Sequence, residues 1–406
     1  MTYYNPSQRI TLLDTIRGIA LLGILLMNIQ VYTLFDFLTP VQVRALHWDN
    51  SSTLVPTQFL LDIFIRGQFY SIYSFLFGLG CYLMLEKNTR LGLNGRRLYL
   101  RRLMVMLVFS AIHCALWFGD VLHMYAILGV PLIFFYDRKV SVIIKWAAGI
   151  FLFGILLDVC TTIFFPRVLP SSVQGVFSQD RLHIINTFQH GTFREIMDTQ
   201  YGLLMKRLTA TVRNNLNAYQ HTFVLFLLGL IAGKTRFFHR ITELRPAIKR
   251  TVLILLPFAL ATKVIASLSS LDVHFFSPEK SVYEQLLTNI MRFTGMLLTT
   301  LVYVGGLTLL LHNNHSRLSG WIGNAGRLGL TNYLAQTVIC MLLFYPFGLG
   351  LTGKLTLYQS LLLALMIYIV QVIYSNIWLR YYSMGPLEAV WRRFTYGRQG
   401  GINKSV

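Results

Sequence analysis

Acidic residues are scarce in this sequence, with 16 Asp and Glu among 406 residues against 36 Lys and Arg, and the four charged types together make up only 13% of the chain. A soluble globular protein carries about 25%, so there is too little charge here to cover a water-facing surface. With a hydrophobic share of 54% and a mean hydropathy of +0.55, the chain reads as an integral membrane protein. Cysteine is scarce too. Cys81, Cys114, Cys160 and Cys340 each lie in an apolar run, and no two stand at the close spacing of a zinc or redox pair, so neither a structural disulfide nor a metal site is expected. A cleavable leader is not expected either: the first apolar stretch has Asp14 and Arg17 at its start and no small-residue cleavage site after it. Internal repeats, heptads and low-complexity tracts are absent. The formal charge of +20 would suggest nucleic acid in a soluble chain; here it reads as cytoplasmic loops rich in Lys and Arg, and nucleic acid is not an expected partner.

A helix that crosses the hydrocarbon needs about 20 mostly apolar residues. Windows of that length fall near 13–35, 64–85, 103–119, 120–136, 140–165, 219–233, 250–268, 285–311, 328–346 and 356–378, which gives an all-α polytopic bundle of about ten spans. Residues 86–102, residues 234–250 and the tail from Arg380 hold six, six and five basic residues, whereas 36–58, 269–281 and 347–355 hold one each (Arg44, Lys280 and Lys354). Positive residues are retained in the cytoplasm, so both termini are expected there. The chain reads as one transmembrane domain over 1–406, with an outer connection at 166–218 and a cytoplasmic amphipathic tail at 380–406. The outer connection carries six basic residues of its own, but long connections translocate largely regardless of charge. Its second half, near Thr192 to Tyr219, has the spacing of an amphipathic helix at the membrane surface.

Polar groups inside a membrane are costly and by default mark a site. Asp14 and Arg17 share one face of the first span and can pair; Asn28 lies deeper, close to the same face, as interhelical glue or as part of a cavity wall. Ser71, Ser74 and Gly78 make a small-residue face suited to close helix packing. His113 and Asp120, seven residues apart, would stay about 10 Å apart along a straight helix. Direct contact needs a bend at Gly119 or a bridging group; given contact, the carboxylate would orient the imidazole as a base. A buried structural histidine is the alternative. His123, three residues past Asp120, can also reach it, and His47 in the outer connection is a second candidate base. Gly323, Gly326 and Gly329 recur every three residues before Asn332 and Gln336, a pattern of helix packing with a polar clasp. Arg327 there could also receive an anion. The tail from Gly385 to Gly397 reads as a short amphipathic helix, either a membrane-surface anchor or a lid over a cytoplasmic site.

Five separated strings carry a resemblance over nearly the full length. These are Leu13-Asp14-Thr15-Ile16-Arg17-Gly18 with Asn28, Ser74-Phe75-Leu76-Phe77-Gly78-Leu79-Gly80, His113 with Gly119-Asp120-Val121-Leu122 and Tyr125, Gly326-Arg327 through Leu330-Thr331-Asn332-Tyr333, and Gly385-Pro386-Leu387-Glu388 with Trp391-Arg392 and Thr395. The chain resembles the YeiB family of bacterial inner-membrane proteins. Its opening motif is also similar to that of transmembrane acyltransferases, which take an acyl group, usually from acetyl-CoA in the cytoplasm, to an acceptor on the far side. The O-acetylating branch has a histidine eleven residues after the arginine of the motif, where this chain has Asn28; the glucosaminide branch has Asn there and uses a histidine on the outer connection, for which His47 is the nearest match.

The resemblance implies a multi-pass protein of the bacterial inner membrane that uses an acyl-CoA, without a metal. Arg96, Arg97, Arg101, Arg102, Arg327 and Arg392 would attract the phosphates of the donor, and Asp14 and Arg17 would shape the inner mouth. His113, oriented by Asp120, would deprotonate the acceptor, with His47 as substitute, and Asn28 or Asn332 would stabilise the oxyanion. The expected partners are membrane lipids and a small-molecule or glycan acceptor, and homodimerisation is left open. Two other readings stay open: a transporter or lipid-handling protein without covalent chemistry, and a structural scaffold.

Overall fold

The computed structural model describes residues 11–164, 179–214, 216–270, 282–313 and 316–397. Parts of the expected connections 166–218 and 269–281, including Lys280, and the end of the tail lie outside these residues. Among the described residues every regular element is helical. Helix α1 (Thr11–Tyr32) leads through α2 (Pro40–Ala45) and α3 (Ser51–Phe64) to α4 (Gln68–Arg90) and α5 (Gly95–Leu116). Two short helices, α6 (Leu122–Gly129) and α7 (Leu132–Phe135), precede α8 (Val140–Phe164). Helices α9 (Gln179–His190) and α10 (Phe193–Asn214) come from the expected outer connection and are followed by α11 (Leu216–Lys234), α12 (Ile241–Ser270) and α13 (Val282–Leu311). The chain ends with α14 (Arg317–Arg327), α15 (Gly329–Phe344), α16 (Leu357–Tyr381) and α17 (Pro386–Tyr396).

Among the described residues, seven helical stretches are long and apolar enough to cross a membrane, or eight if α14 and α15, bent by 78° at Leu328, count as one broken span. The protein is a multi-pass helical membrane protein. Two of the ten expected windows are not among these stretches. The window 120–136 is apolar throughout, but Gly129 and Pro131 interrupt it, leaving helices of 8 and 4 residues that are too short to cross. The window 219–233 falls in α11, which α4 and α8 enclose and whose Val224 to Leu227 are all buried. The lipid-facing surface lies elsewhere: Leu152, Phe153 and Leu156 of α8, Ile254 and Phe258 of α12, and Met366, Ile369, Val370 and Ile373 of α16 all point outward.

Glycines permit two close helix crossings. A Cβ on Gly78 would strike the Phe226 carbonyl, and one on Gly229 the Phe75 carbonyl, so α4 and α11 meet backbone to backbone. In the same way Gly18 faces the Ile322 carbonyl and Gly326 the Asp14 carbonyl, which locks α1 against α14. These contacts set α1, α4, α5, α15 and α17 around a single cavity.

Candidate functional site

Helix α5 ends at Leu116, because Trp117 adopts extended backbone and the next helix starts only at Leu122. The bend brings together two side chains that a straight helix would keep apart: His113 Nδ1 lies 2.7 Å from Asp120 Oδ1. The second carboxylate oxygen accepts the Ser110 hydroxyl and the His123 N–H at 3.1 Å, and faces His123 Nδ1 at 3.0 Å. That N–H is one of the open donors in the first turn of α6, so Asp120 orients the imidazole and caps a helix at once. On the other side of the ring, His113 Nε2 lies 2.8 Å from Thr337 Oγ1 on α15. An ionised carboxylate can only accept, so Nδ1 carries a proton towards Asp120, and in the neutral imidazole Nε2 then accepts from the threonine hydroxyl. His113 is 2% exposed and Asp120 0%.

Cys114, Asp120 and His123 offer donor atoms within 4.8 Å of one another, close enough to hold a metal ion. The Asp120 oxygens there already serve His113, Ser110 and His123.

The bend is covered by α10. The Phe118 N–H donates to Gln200 Oε1 at 3.2 Å, Gln200 Nε2 donates to the Tyr345 hydroxyl at 2.7 Å, and Arg207 donates to the Phe118 carbonyl at 3.1 Å.

Beneath the His–Asp pair lies a cavity of about 450 Å³. Arg17, Arg102, Arg327, Glu388 and Trp391 line its polar end, Leu21, Ile24, Phe77 and Met106 its middle, and Val121, Leu122, Tyr125 and Tyr333 its far wall. Along α5 the step from Arg102 to His113 is about 16 Å. At the far wall the Tyr333 ring lies edge-on to the imidazole, with centroids 5.1 Å apart.

Helix α17 packs at the polar end, where Glu388 and Trp391 line the cavity. Glu388 accepts the N–H groups of Leu330 (2.8 Å) and Thr331 (3.1 Å) and the Thr331 hydroxyl (2.6 Å), which caps the first turn of α15. The Trp391 indole donates to the Arg102 carbonyl at 2.9 Å, and the Arg102 guanidinium sits 4.2 Å from the centre of the indole ring. Arg327 donates to the Ser383 carbonyl at 2.9 Å.

Of the residues singled out by the sequence, the structure brings His113 and Asp120 into contact and places Arg17 and Arg327 on the cavity wall, with Asp14 buried beside Arg17 at 2.9 Å. Others stand apart. Asn28 is half-buried and off the cavity wall, and His47 is exposed beyond α2 with a left-handed backbone (φ 57°). Asn332 is buried in a clasp instead: it donates to the Ala325 carbonyl (3.0 Å) and Ser375 (3.1 Å), accepts from Gln371 through its carbonyl, and Gln371 in turn accepts from Gln336 (2.8 Å). Arg96 is exposed and pairs with Asp137, and Arg97 and Arg392 are exposed as well. None of these three lines the cavity. Sequence reasoning did not single out Thr337, Ser110, Gln200 or Arg207. Ser110 alone carried a usable signal, since it precedes His113 by three residues on one helix face.

Residues 232–398 match the family described as "Protein of unknown function (DUF418)". The chain is 30% identical over 400 residues to the uncharacterized protein YxaH of Bacillus subtilis, covering 96% of this chain and 95% of the relative. It is 31% identical over 396 residues to an uncharacterized 39.9 kDa protein in the amylase 3' region of Bacillus acidopullulyticus, covering 97% and 95%. With the uncharacterized protein YeiB of Escherichia coli it shares 26% identity over 409 residues, covering 97% and 98%. No solved structure matches the chain. Helical architecture, full-length similarity and the matched C-terminal region agree: the chain belongs to the DUF418 family of multi-pass membrane proteins, together with YeiB and YxaH.

Proposed function

We propose that the protein is a transmembrane acyltransferase of the bacterial inner membrane, with both ends of the chain in the cytoplasm, moving an acyl group from a cytoplasmic acyl-CoA to a small-molecule or glycan acceptor at the outer face. The observation that carries the proposal is the cavity: it has three arginines at one end and an apolar middle, and one of its lining residues, Tyr333, packs edge-on against a buried imidazole held by a carboxylate. Such a shape suits a donor with a polyanionic head, an extended arm and a reactive carbonyl at its tip. Arg17, Arg102 and Arg327 receive the phosphates, while the exposed Arg96, Arg97 and Arg392 act at longer range by raising the local anion concentration. The arm follows α5 towards Tyr333. His113 Nε2, lacking the proton that Nδ1 shares with Asp120, takes the proton of the attacking group. Asn332 is committed to its clasp and Asn28 lies off the cavity, so neither serves the oxyanion in this reading.

Release of free thiol from acetyl-CoA by purified protein in nanodiscs tests the proposal. His113→Ala is expected to lower the rate about 100-fold, and acetyl-CoA is expected to raise the melting temperature of the wild type. Equal rates in mutant and wild type would remove His113 from the mechanism. Absence of thiol release, together with accumulation of a solute in proteoliposomes, would replace enzyme by transporter.

A further inference from the structure

We infer that Thr337 carries the acyl group, so that transfer proceeds in two steps through an ester on this chain; the inference rests on the acyl-transfer reading above. Asp120, His113 and Thr337 form a continuous line, carboxylate to Nδ1 at 2.7 Å and Nε2 to hydroxyl at 2.8 Å. A base held by a third group and hydrogen-bonded to a hydroxyl is the arrangement that activates an oxygen nucleophile. In the resting structure, the atom that Nε2 is placed to deprotonate is the Thr337 oxygen.

A second observation points to a ligand at the same place. The Trp117 indole N–H is buried and has no hydrogen-bond partner among the described residues, while the buried hydroxyls of Tyr32 and Tyr333 face the Thr337 hydroxyl and the Val121 backbone without a close hydrogen bond. Buried donors left without a close acceptor are rare in native proteins, and these three surround the triad: Trp117 and Tyr333 lie 5.7 and 5.1 Å from the His113 ring, and Tyr32 stacks on Trp117 at 5.1 Å. Donors short of an acceptor beside an activated hydroxyl suit the oxygen of a carbonyl turning tetrahedral.

Thr337 follows Tyr333 by four residues on α15, so the cavity-wall residue and the nucleophile share a helix face one turn apart. When the Tyr333 ring turns aside, the thioester at the end of the cavity meets the Thr337 oxygen. That oxygen bonds to the carbonyl carbon while its proton passes to His113 Nε2; the carbon–sulfur bond breaks and the thiolate takes the proton from Nε2. In the second step an acceptor hydroxyl gives its proton to Nε2 as its oxygen attacks the ester, and the proton returns to Thr337 as the ester bond breaks.

The test incubates wild type, Thr337→Ser and Thr337→Val in nanodiscs with acetyl-CoA and, separately, with the activated ester p-nitrophenyl acetate. Acid quenching, proteolysis and mass spectrometry then locate the adduct, and melting temperatures are recorded in parallel. An acetyl group on residue 337 of the wild type and of Thr337→Ser, with thiol release lost at least about 1000-fold in Thr337→Val, is the expected result. If Thr337→Val fails to fold, the adduct position in the wild type and in Thr337→Ser decides. An adduct at Thr337 from p-nitrophenyl acetate alone keeps the nucleophile while refuting acetyl-CoA as donor. Thiol release by Thr337→Val at the wild-type rate overturns the inference and leaves direct transfer standing, and so does an adduct on His113. No adduct from either reagent overturns it outright.

Discussion

Two helices cover the site, α10 over the bend beside the His113–Asp120 pair and α17 at the polar end of the cavity, and they are held by different chemistry. Helix α10 grips the bend at Phe118 through a buried neutral amide, Gln200, and one arginine donating to a carbonyl. Helix α17 is held at the polar end by a carboxylate on the start of α15 and by a cation on an indole. Charge-assisted hydrogen bonds are the stronger kind in isolation, yet α17 has the weaker hold. Glu388 is half-buried, so water can replace it at the α15 amides, whereas Gln200 is 1% exposed and nothing replaces it. One cover is therefore built to stay and the other to let go, which is the asymmetry that the proposed acyl donor, entering at the polar end, would require.

Gln200→Ala gives the largest effect expected at either cover. It strands the Phe118 N–H and the Tyr345 hydroxyl and is expected to destabilise the protein by about 2–3 kcal/mol, read as a lower melting temperature and faster hydrogen exchange over 115–121. Glu388→Ala removes a helix cap that solvent can partly restore, for about 1 kcal/mol, and should raise exchange in α17 while leaving α10 unchanged. Loss of protection in both helices together would show that the covers are coupled and would break the comparison. Salt separates them more finely: raising the KCl concentration should loosen α17, whose contacts are screened, and leave α10 as it was.

How much of this is legible in the sequence depends on the distance over which each contact acts. The helical membrane character follows from composition, and the spacing of His113 and Asp120 permits contact if the helix breaks, which it does at Trp117, two residues before Gly119. The Gly78 and Gly326 crossings follow from small residues at helical intervals. Thr337 is a different case, because 224 residues separate it from His113, and one more threonine on an apolar helix carries no local signal. Glu388 reads as an acid at the start of a tail helix; that it caps α15 rather than its own helix is decided by docking. Charge counting does not separate Arg96, Arg97 and Arg392, which lie off the cavity wall, from Arg17, Arg102 and Arg327, which line it, for a related reason. An excess of Lys and Arg reports the side of the membrane, and the cavity selects from that excess only the residues that face it. The window 120–136 is interrupted at Gly129 and Pro131, which hydropathy does not register, and 219–233 falls on a helix packed between α4 and α8, which hydropathy cannot tell from one that faces lipid.

The smallest effect concerns how α10 begins. The Thr192 N–H donates to Glu195 Oε2 at 2.7 Å and its hydroxyl at 2.9 Å, while the Glu195 N–H returns to the Thr192 oxygen at 3.4 Å, a reciprocal capping box. The backbone hydrogen bond from Thr192, then that from its hydroxyl, holds the Glu195 carboxyl below its ordinary value. A carboxyl lowered on folding contributes stability that is complete above its unfolded pKa, near 4.3, and lost as the pH falls through the folded value. Acidification below about pH 4 should therefore speed exchange at the first turn of α10 in the wild type relative to Glu195→Gln at the same pH, since the amide keeps an acceptor oxygen but does not titrate. The effect should stop within that turn, because Gln200, the neutral grip further along the helix, has nothing to protonate. Acid-induced exposure that reaches Phe118 would mean that α10 is held from its exposed end after all, and the division into a fixed and a releasable cover would fail.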